Sequence, residues 1–262
     1  MKVIYNKNVA NAVITSSTEN PLYLFDTALK DSRLSRYGKT LITSASWLKF
    51  TYSADIDVDV IGIFGSNLTE NATVSIQANA TDVWTSPSVN EELTFSKDVK
   101  ASIDANQSIG VWSKQFDTTQ TYKYWRIVFV DSTNTDNYIK VGRVFMDEAL
   151  VMPGMSVNQV FKIDTNSVQT YSTSGQVYGL KRLQYNGVSF NFPSVEDSDK
   201  KDIEEFYYKT DIITPYMMMV WEKSLSIQKP LYVVNISMPE FTRVEMQSSL
   251  IWTFDSEIRE VF

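Results

Sequence analysis

The run Tyr124-Trp125-Arg126-Ile127-Val128-Phe129-Val130 constrains the fold of this chain more than any other stretch. Successive side chains of a strand point to opposite faces, so Trp125, Ile127 and Phe129 share one face while Arg126, Val128 and Val130 share the other. Apolar groups on both faces predict a central strand rather than an edge. Arg126 is the one charge in the run, and it is expected to reach a carboxylate or backbone carbonyls, because a charge taken out of water needs a partner. A second run, Tyr138 to Phe145, follows. A third, Ile56 to Phe64, precedes it and ends at Gly65-Ser66-Asn67-Leu68. In that third run Ile56, Val58, Val60, Gly62 and Phe64 share one parity and Asp55, Asp57 and Asp59 the other, as in a half-buried strand. Leu41-Ile42 with Trp47 to Phe50 reads as an earlier strand, and Thr73 to Ala78 as another. Short strands separated by polar turns predict a β-sandwich.

A boundary falls near Met152-Pro153-Gly154-Met155, dividing the chain into residues 1–152 and 153–262. In the second part, Asn186-Gly187 between alternating apolar runs predicts a two-residue hairpin, with strands over Leu180–Tyr185 and Val188–Phe192 and Gly187 at positive φ. A helix is expected near 195–209: Ser194 is a candidate cap, acids follow it, and Ile203, Phe206 and Tyr207 form an apolar stripe. Three strands then close the chain. Tyr216 to Trp221 is apolar throughout and reads as buried on both faces; Leu231 to Met238 alternates; Val244 to Phe254 places Leu250, Trp252 and Phe254 on one face. The tail Ile258 to Phe262 is apolar with little to cover it, a hazard in a monomer but an asset where a second copy covers it. Trp252, Phe254, Ile258, Val261 and Phe262 are therefore candidate interface residues.

Composition narrows the chemistry. The chain has no His and no Cys, which excludes Ser-His and Cys-His catalysis, zinc–thiolate sites and disulfides. With 31 acidic against 24 basic residues the net charge is -7, which disfavours nucleic acid as a partner. No apolar window is long enough for a transmembrane helix, and the first residues, reaching Asn6 and Lys7 early, do not read as a signal peptide.

Asp55-Ile56-Asp57-Val58-Asp59 invites a calcium reading, but an EF-hand loop counted from Asp55 needs Gly sixth and Glu twelfth, where Val60 and Ser66 stand. A solvated strand face is the better account. Glu91-Glu92 and Glu204-Glu205 are adjacent acids that point different ways, so neither is a ready carboxylate dyad, and an enzyme is not expected. No cofactor or metal is called for. Trp84 and Trp112 both sit in loop-like sequence, where an exposed ring would be a sugar-stacking platform; burial is the commoner fate of Trp. Met217-Met218-Met219 fits core or interface packing.

The three strand motifs and the Gly-Ser-Asn-Leu turn resemble the closing half of a discoidin-like (galactose-binding-like) β-sandwich. Gly142-Arg143-Val144-Phe145, Asp164-Thr165-Asn166-Ser167 and Gly175-Gln176-Val177-Tyr178 resemble a family of virion structural proteins of tailed bacteriophages. The second part looks like minor tail proteins, whose β-rich fold with one helix is related to tail-tube and distal-tail proteins. Met146-Asp147-Glu148 departs from the Gly or Pro common there. The resemblance implies a mainly β chain with two domains, working as a structural component of a tail tip or baseplate. It would be made in the bacterial host cytoplasm and located in the virion tail. Its partners would be further copies of itself in a ring, the tail tube and the tail-tip hub. The alternative is a carbohydrate-binding module that adheres to a host-surface glycan. Trp84 and Trp112 would then carry the ligand.

Overall fold

The computed structural model describes residues 2–5, 7–31, 33, 35–97, 110–152, 160–165, 168–171, 173–174, 177–180, 184–222, 227–246 and 249–260. The chain is mainly β, and it divides into two compact units: residues 2–150 with 217–230, and residues 151–216 with 231–261.

The first unit contains β1 (Lys2–Ile4), α1 (Lys7–Asn11), β2 (Val13–Ser16), α2 (Phe25–Lys30), β3 (Gly38–Lys39), β4 (Ser46–Phe64), β5 (Thr73–Asn79), β6 (Val89–Glu92), β7 (Thr94–Lys97), β8 (Gly110–Val130), β9 (Lys140–Val141) and β10 (Arg143–Asp147). Two long strands organise it. The Trp47 run and the Ile56 run, read from sequence as separate strands, are one 19-residue strand, and Leu41 and Ile42 are exposed outside it. β4 pairs antiparallel with the 21-residue β8, and the register shifts between Thr51 and Ile56 and again between Val58 and Val60. On one side of these shifts the pair is flanked by β2, β5 and β6; on the other, by β10 and β7. The halves of the same two strands thus supply both layers of a sandwich. Their inward residues meet in one core: Leu48, Phe50, Trp125, Ile127 and Phe129 from the first halves, Ile61, Ile63, Trp112, Phe116, Val144 and Met146 from the second.

Trp125, Ile127 and Phe129 are all fully buried on one face of β8, as the alternation predicts. Trp125 packs edge-on against Tyr122 and beside Phe116, and its Nε1 donates to the Tyr122 carbonyl at 3.0 Å. Asp59 does not lie on a solvated face: it is buried, accepts from the Ala149 backbone N–H at 2.8 Å and pairs with Lys2. Among the described residues no group of three or more acidic side chains is placed to hold a metal ion. The Tyr138 to Phe145 run is broken into β9 and β10, and Arg143, the first residue of β10, donates to the carbonyls of Leu29 and Asp31. β16 (Tyr216–Glu222) pairs with β1, and Met217, Met218 and Met219 are buried, as a core role requires.

In the second unit β12 (Val160–Thr165), β15 (Gln184–Val195) and β19 (Ser249–Glu260) form adjacent antiparallel strands, with β18 (Thr242–Met246) and the end of β17 (Ile227–Asn235) also paired to β19. β13 (Val168–Tyr171) and β14 (Val177–Leu180) form a separate pair, and β11 (Leu150–Val151) is a short strand. The Asn186-Gly187 hairpin is not there. β15 runs straight through it, with Asn186 opposite Ile163 and Gly187 opposite both Lys162 and Arg259. The ladder to β12 over Gln184–Ser189 and the ladder to β19 from Gly187 onward overlap at this point and satisfy its backbone, and that outweighs a local turn preference. Among the described glycines the one at positive φ is Gly65, at 66°.

The helix expected near 195–209 is α3 (Asp197–Thr210); Ser194 belongs to β15, and Glu196 occupies the cap position. Ile203, Phe206 and Tyr207 are buried as the stripe predicts. They join Phe192, Tyr216 and Phe254 in an aromatic core, with Phe192 and Phe254 stacked at 4.3 Å and Phe206 edge-on to Tyr216 at 4.9 Å. Leu231 to Asn235 is buried at every position rather than alternating.

The C-terminal strand also differs from expectation. β19 is an interior strand, not a free edge, because β15 lies on one side and β17 and β18 on the other. Phe254 is 3% and Ile258 0% exposed, so both serve the unit's own core rather than an interface. Trp252 is half-buried, with its Nε1 donating to Asp197 and the Lys200 ammonium 4.4 Å from its ring. Val261 and Phe262 lie outside the described residues.

Candidate functional site

The outward face of the β4–β8–β5–β6 layer carries rows of side chains set by strand register. Lys49 lies opposite Arg126, Arg126 opposite Gln77, and Gln77 opposite Asn90, so one polar row crosses four strands. The neighbouring rows hold Trp47, Val128, Ser75 and Glu92 on one side and Thr51, Tyr124 and Asn79 on the other. Alternation explains this directly: the odd-numbered residues 47–51 face out because 46, 48, 50 and 52 are buried.

Trp84 comes to this row from the loop after β5. Arg126 stacks on its ring, with the guanidinium carbon 4.4 Å from the ring centroid. The indole Nε1 donates to Asp82 at 2.8 Å, and the other Asp82 oxygen accepts from Lys49 at 2.7 Å. Asn79, at the end of β5, fixes the loop by donating to the Val83 carbonyl and accepting from the Ala80 N–H and the Ser88 hydroxyl. Arg126 also donates through two nitrogens to Gln77 Oε1, at 2.9 and 2.5 Å, and Gln77 donates to Asn90 at 3.0 Å. The partner of Arg126 is thus an amide oxygen and a ring, not the carboxylate or carbonyls expected. The Lys49 hydrogen bond, helped by the one from Trp84, holds the Asp82 carboxyl below its ordinary range against the opposing effect of burial. Partial burial pulls Arg126 down from the usual guanidinium range, and Asp82 counters it.

Trp84 is half exposed, so part of its ring is open to solvent, and its plane is fixed by Asp82 and Arg126. Trp112 is placed otherwise. It lies in β8, not in a loop, is 3% exposed and packs on Phe95 at 5.1 Å, so it offers no ring to a ligand. Its run, Gly110-Val111-Trp112, reads as a loop because Gly110 interrupts the pattern. Gly110 is instead needed for space: a Cβ there would lie 1.8 Å from the Phe95 ring. Sequence reasoning missed Lys49, Gln77, Asp82 and Asn90. Register joins Lys49, Gln77 and Asn90 through Arg126, 77 positions beyond Lys49, and Asp82 arrives by the loop after β5, so nothing in their local sequence announces the arrangement.

No protein-family model and no curated protein matches the chain. Structural neighbours are carbohydrate-binding modules. The family 32 module of C. perfringens NanJ, solved with galactose, is similar with a TM-score of 0.41 at 10% identity, covering 56% of this chain and 98% of that one. A fucose-binding module of Streptococcus pneumoniae aligns with a TM-score of 0.39 at 14% identity over 54% of this chain and 95% of that one. Chitosan-binding module 1 of a Paenibacillus sp. IK-5 chitosanase/glucanase aligns with a TM-score of 0.39 at 13% identity, covering 55% of this chain and all of that one (100%).

Proposed function

We propose that the first unit is a glycan-binding module, and that the Trp84 platform is its binding surface. The observation that carries this reading is the half-exposed Trp84 ring, locked by Arg126 and Asp82 beside a flat row of amide and cationic side chains. A pyranose has an apolar C–H face and a rim of hydroxyls. The first matches an aromatic ring, and the second matches side chains such as Gln and Asn that both donate and accept. Locking the ring in advance removes much of the ordering cost of binding. The role is recognition without catalysis. A place in a phage tail rests on the short sequence motifs alone, and the strand that sequence assigned to subunit contact lies inside a sheet.

A glycan array followed by calorimetric titration of the best hit tests this. Binding that falls at least tenfold in Trp84→Ala, with an unchanged far-ultraviolet circular dichroism spectrum, is the expected result. No binding to any glycan, or full binding by the Trp84→Ala variant, overturns it.

A further inference from the structure

A second cluster lies beyond the Val130 end of β8, away from the Trp84 loop, which follows the Asn79–Tyr124 pair. Lys39 and Lys140 are direct cross-strand partners in the short β3–β9 ladder. Around them stand three tyrosines. The Lys39 ammonium is 4.4 Å from the ring centre of Tyr23, 5.3 Å from that of Tyr37 and 4.2 Å from that of Tyr138. The Lys140 ammonium is 5.1 Å from Tyr37. Tyr23 and Tyr37 stack at 5.5 Å with their planes 6° apart.

Like charges placed directly opposite on a ladder repel, so the pair is a cost to the fold. Several other cations of the unit pair with acids: Lys2 with Asp59, Lys30 with Asp26, Lys49 with Asp82, Lys114 with Glu91, and both Arg33 and Arg36 with Asp31, while Arg126 and Arg143 donate to amide and backbone oxygens and Lys123 lies by the Tyr124 ring. Lys39 and Lys140 have no ion pair among the described residues, in a chain with an excess of acids. The aromatic faces stabilise the ammonium groups without neutralising them.

The arrangement is also held firmly. Lys39 N–H donates to the Tyr23 carbonyl at 3.0 Å, and its own carbonyl accepts from Asn20 at 2.9 Å. Gly38 lets the strand lie against Phe25, where an added Cβ would come within 2.1 Å of the ring. On the other arm Asn67 accepts from the Lys140 N–H at 2.7 Å and donates to the Tyr138 carbonyl and to Asp136, both at 2.9 Å. That last bond engages the acid on this arm. Tyr23 remains 37% exposed.

We propose that this cluster is a binding site for an acidic sugar, in which Lys39 and Lys140 take the carboxylate and the tyrosine rings take the pyranose face. A paired positive charge selects the anion, and flat rings select a sugar over a bare anion. The choice of a sugar rests on the glycan-binding reading above, while the anion preference rests on the lysine pair alone.

Calorimetric titration with methyl glucuronide, methyl glucoside and acetate separates the components. The expected result is at least tenfold tighter binding of the glucuronide than of either other probe, and at least tenfold loss in the K39M/K140M double variant. The lysine changes are expected to abolish the preference for glucuronide over glucoside while leaving glucoside binding unchanged, so this site is read from the preference alone and the Trp84 platform from its own glycan titration. Lys140→Met alone, changing one side chain at the surface, is the reserve variant if the double one does not fold, and it should lose at least threefold. Equal affinity for glucuronide and glucoside, acetate bound as tightly as glucuronide, or no effect of the lysine changes overturns the proposal.

Discussion

Replacing Trp125 tests the reading of the first unit most directly. Its side chain is fully buried between the layers, edge-on to Tyr122 at 6.1 Å and tilted against Phe116 at 6.4 Å. Burying an aromatic of this size removes about 200 Å² from water, worth about 5 kcal/mol at the usual area coefficient. Truncation also leaves the Tyr122 carbonyl without its 3.0 Å donor, a loss of about 1 kcal/mol. Partial collapse of the cavity returns some of this, so Trp125→Ala should cost roughly 4–5 kcal/mol, near the upper end for core aromatics. Trp125→Phe keeps a ring against both neighbours and loses the N–H and some volume, for roughly 1–2 kcal/mol. Urea denaturation at 25 °C, followed by circular dichroism, measures both. If Trp125→Ala falls within about 1 kcal/mol of the wild type, Trp125 does not hold the layers together and the argument from burial fails.

Further expectations concern ionisation and backbone. Burial pushes the Tyr207 phenol up to about 12, and its hydroxyl donates to Ser256 at 2.6 Å. A raised folded value means stability is intact below the ordinary 10.0 and is lost as pH climbs towards 12, so alkaline titration should unfold the second unit in that window. Tyr207→Phe should flatten the profile, and a Tyr207 ring resonance that titrates with a midpoint at 10 in the folded protein would refute the burial argument. Asp82 is shifted the other way, below its ordinary 3.8, so its hold on Lys49 and on the Trp84 N–H should persist through neutral and mildly acid pH and fail only as pH falls through that lowered value. The Trp84 indole N–H resonance reports this directly, and a midpoint above 4 would contradict it. Gly65→Ala, at φ 66°, should destabilise the first unit by about 1 kcal/mol in urea denaturation, whereas an unchanged midpoint would show that the turn relaxes freely.

What could be read in advance follows the range of each signal. One-sided burial of Trp125, Ile127 and Phe129, and the stripe of Ile203, Phe206 and Tyr207, are encoded by residues a few positions apart, and local periodicity shows them. Asn186-Gly187 carried an equally strong local signal and misled, because its neighbours in the ladder are Lys162 and Arg259, far away in sequence. α1 and α2 span 5 and 6 residues, too short for a helical period to appear. Of the candidate site, only Trp84 could be picked out. Its supports, and the lysines with their three tyrosines, are joined by strand register and by loops that meet at one end of a sheet.

The sharing of β4 and β8 between both layers has a consequence for how the first unit opens. Neither layer has a backbone of its own, so neither can be cut away or melt while the other persists. Amides of Leu48 and Ile127 in one layer and of Ile61 and Lys114 in the other should exchange with deuterium at one common rate, set by a single global event rather than by separate foldons. The pairing also joins residues 49 (Ile63 and Trp112) to 83 (Ser46 and Phe129) positions apart, so the loop must close before the ladder stabilises it, and refolding belongs in the slow range of β proteins, milliseconds to seconds. Loops at the two ends of these strands inherit that rigidity. The Trp84 platform and the Lys39–Lys140 pair are therefore fixed in spacing, and a chain carrying both a ring for Trp84 and an acid for the lysines would be measured by length as well as by chemistry.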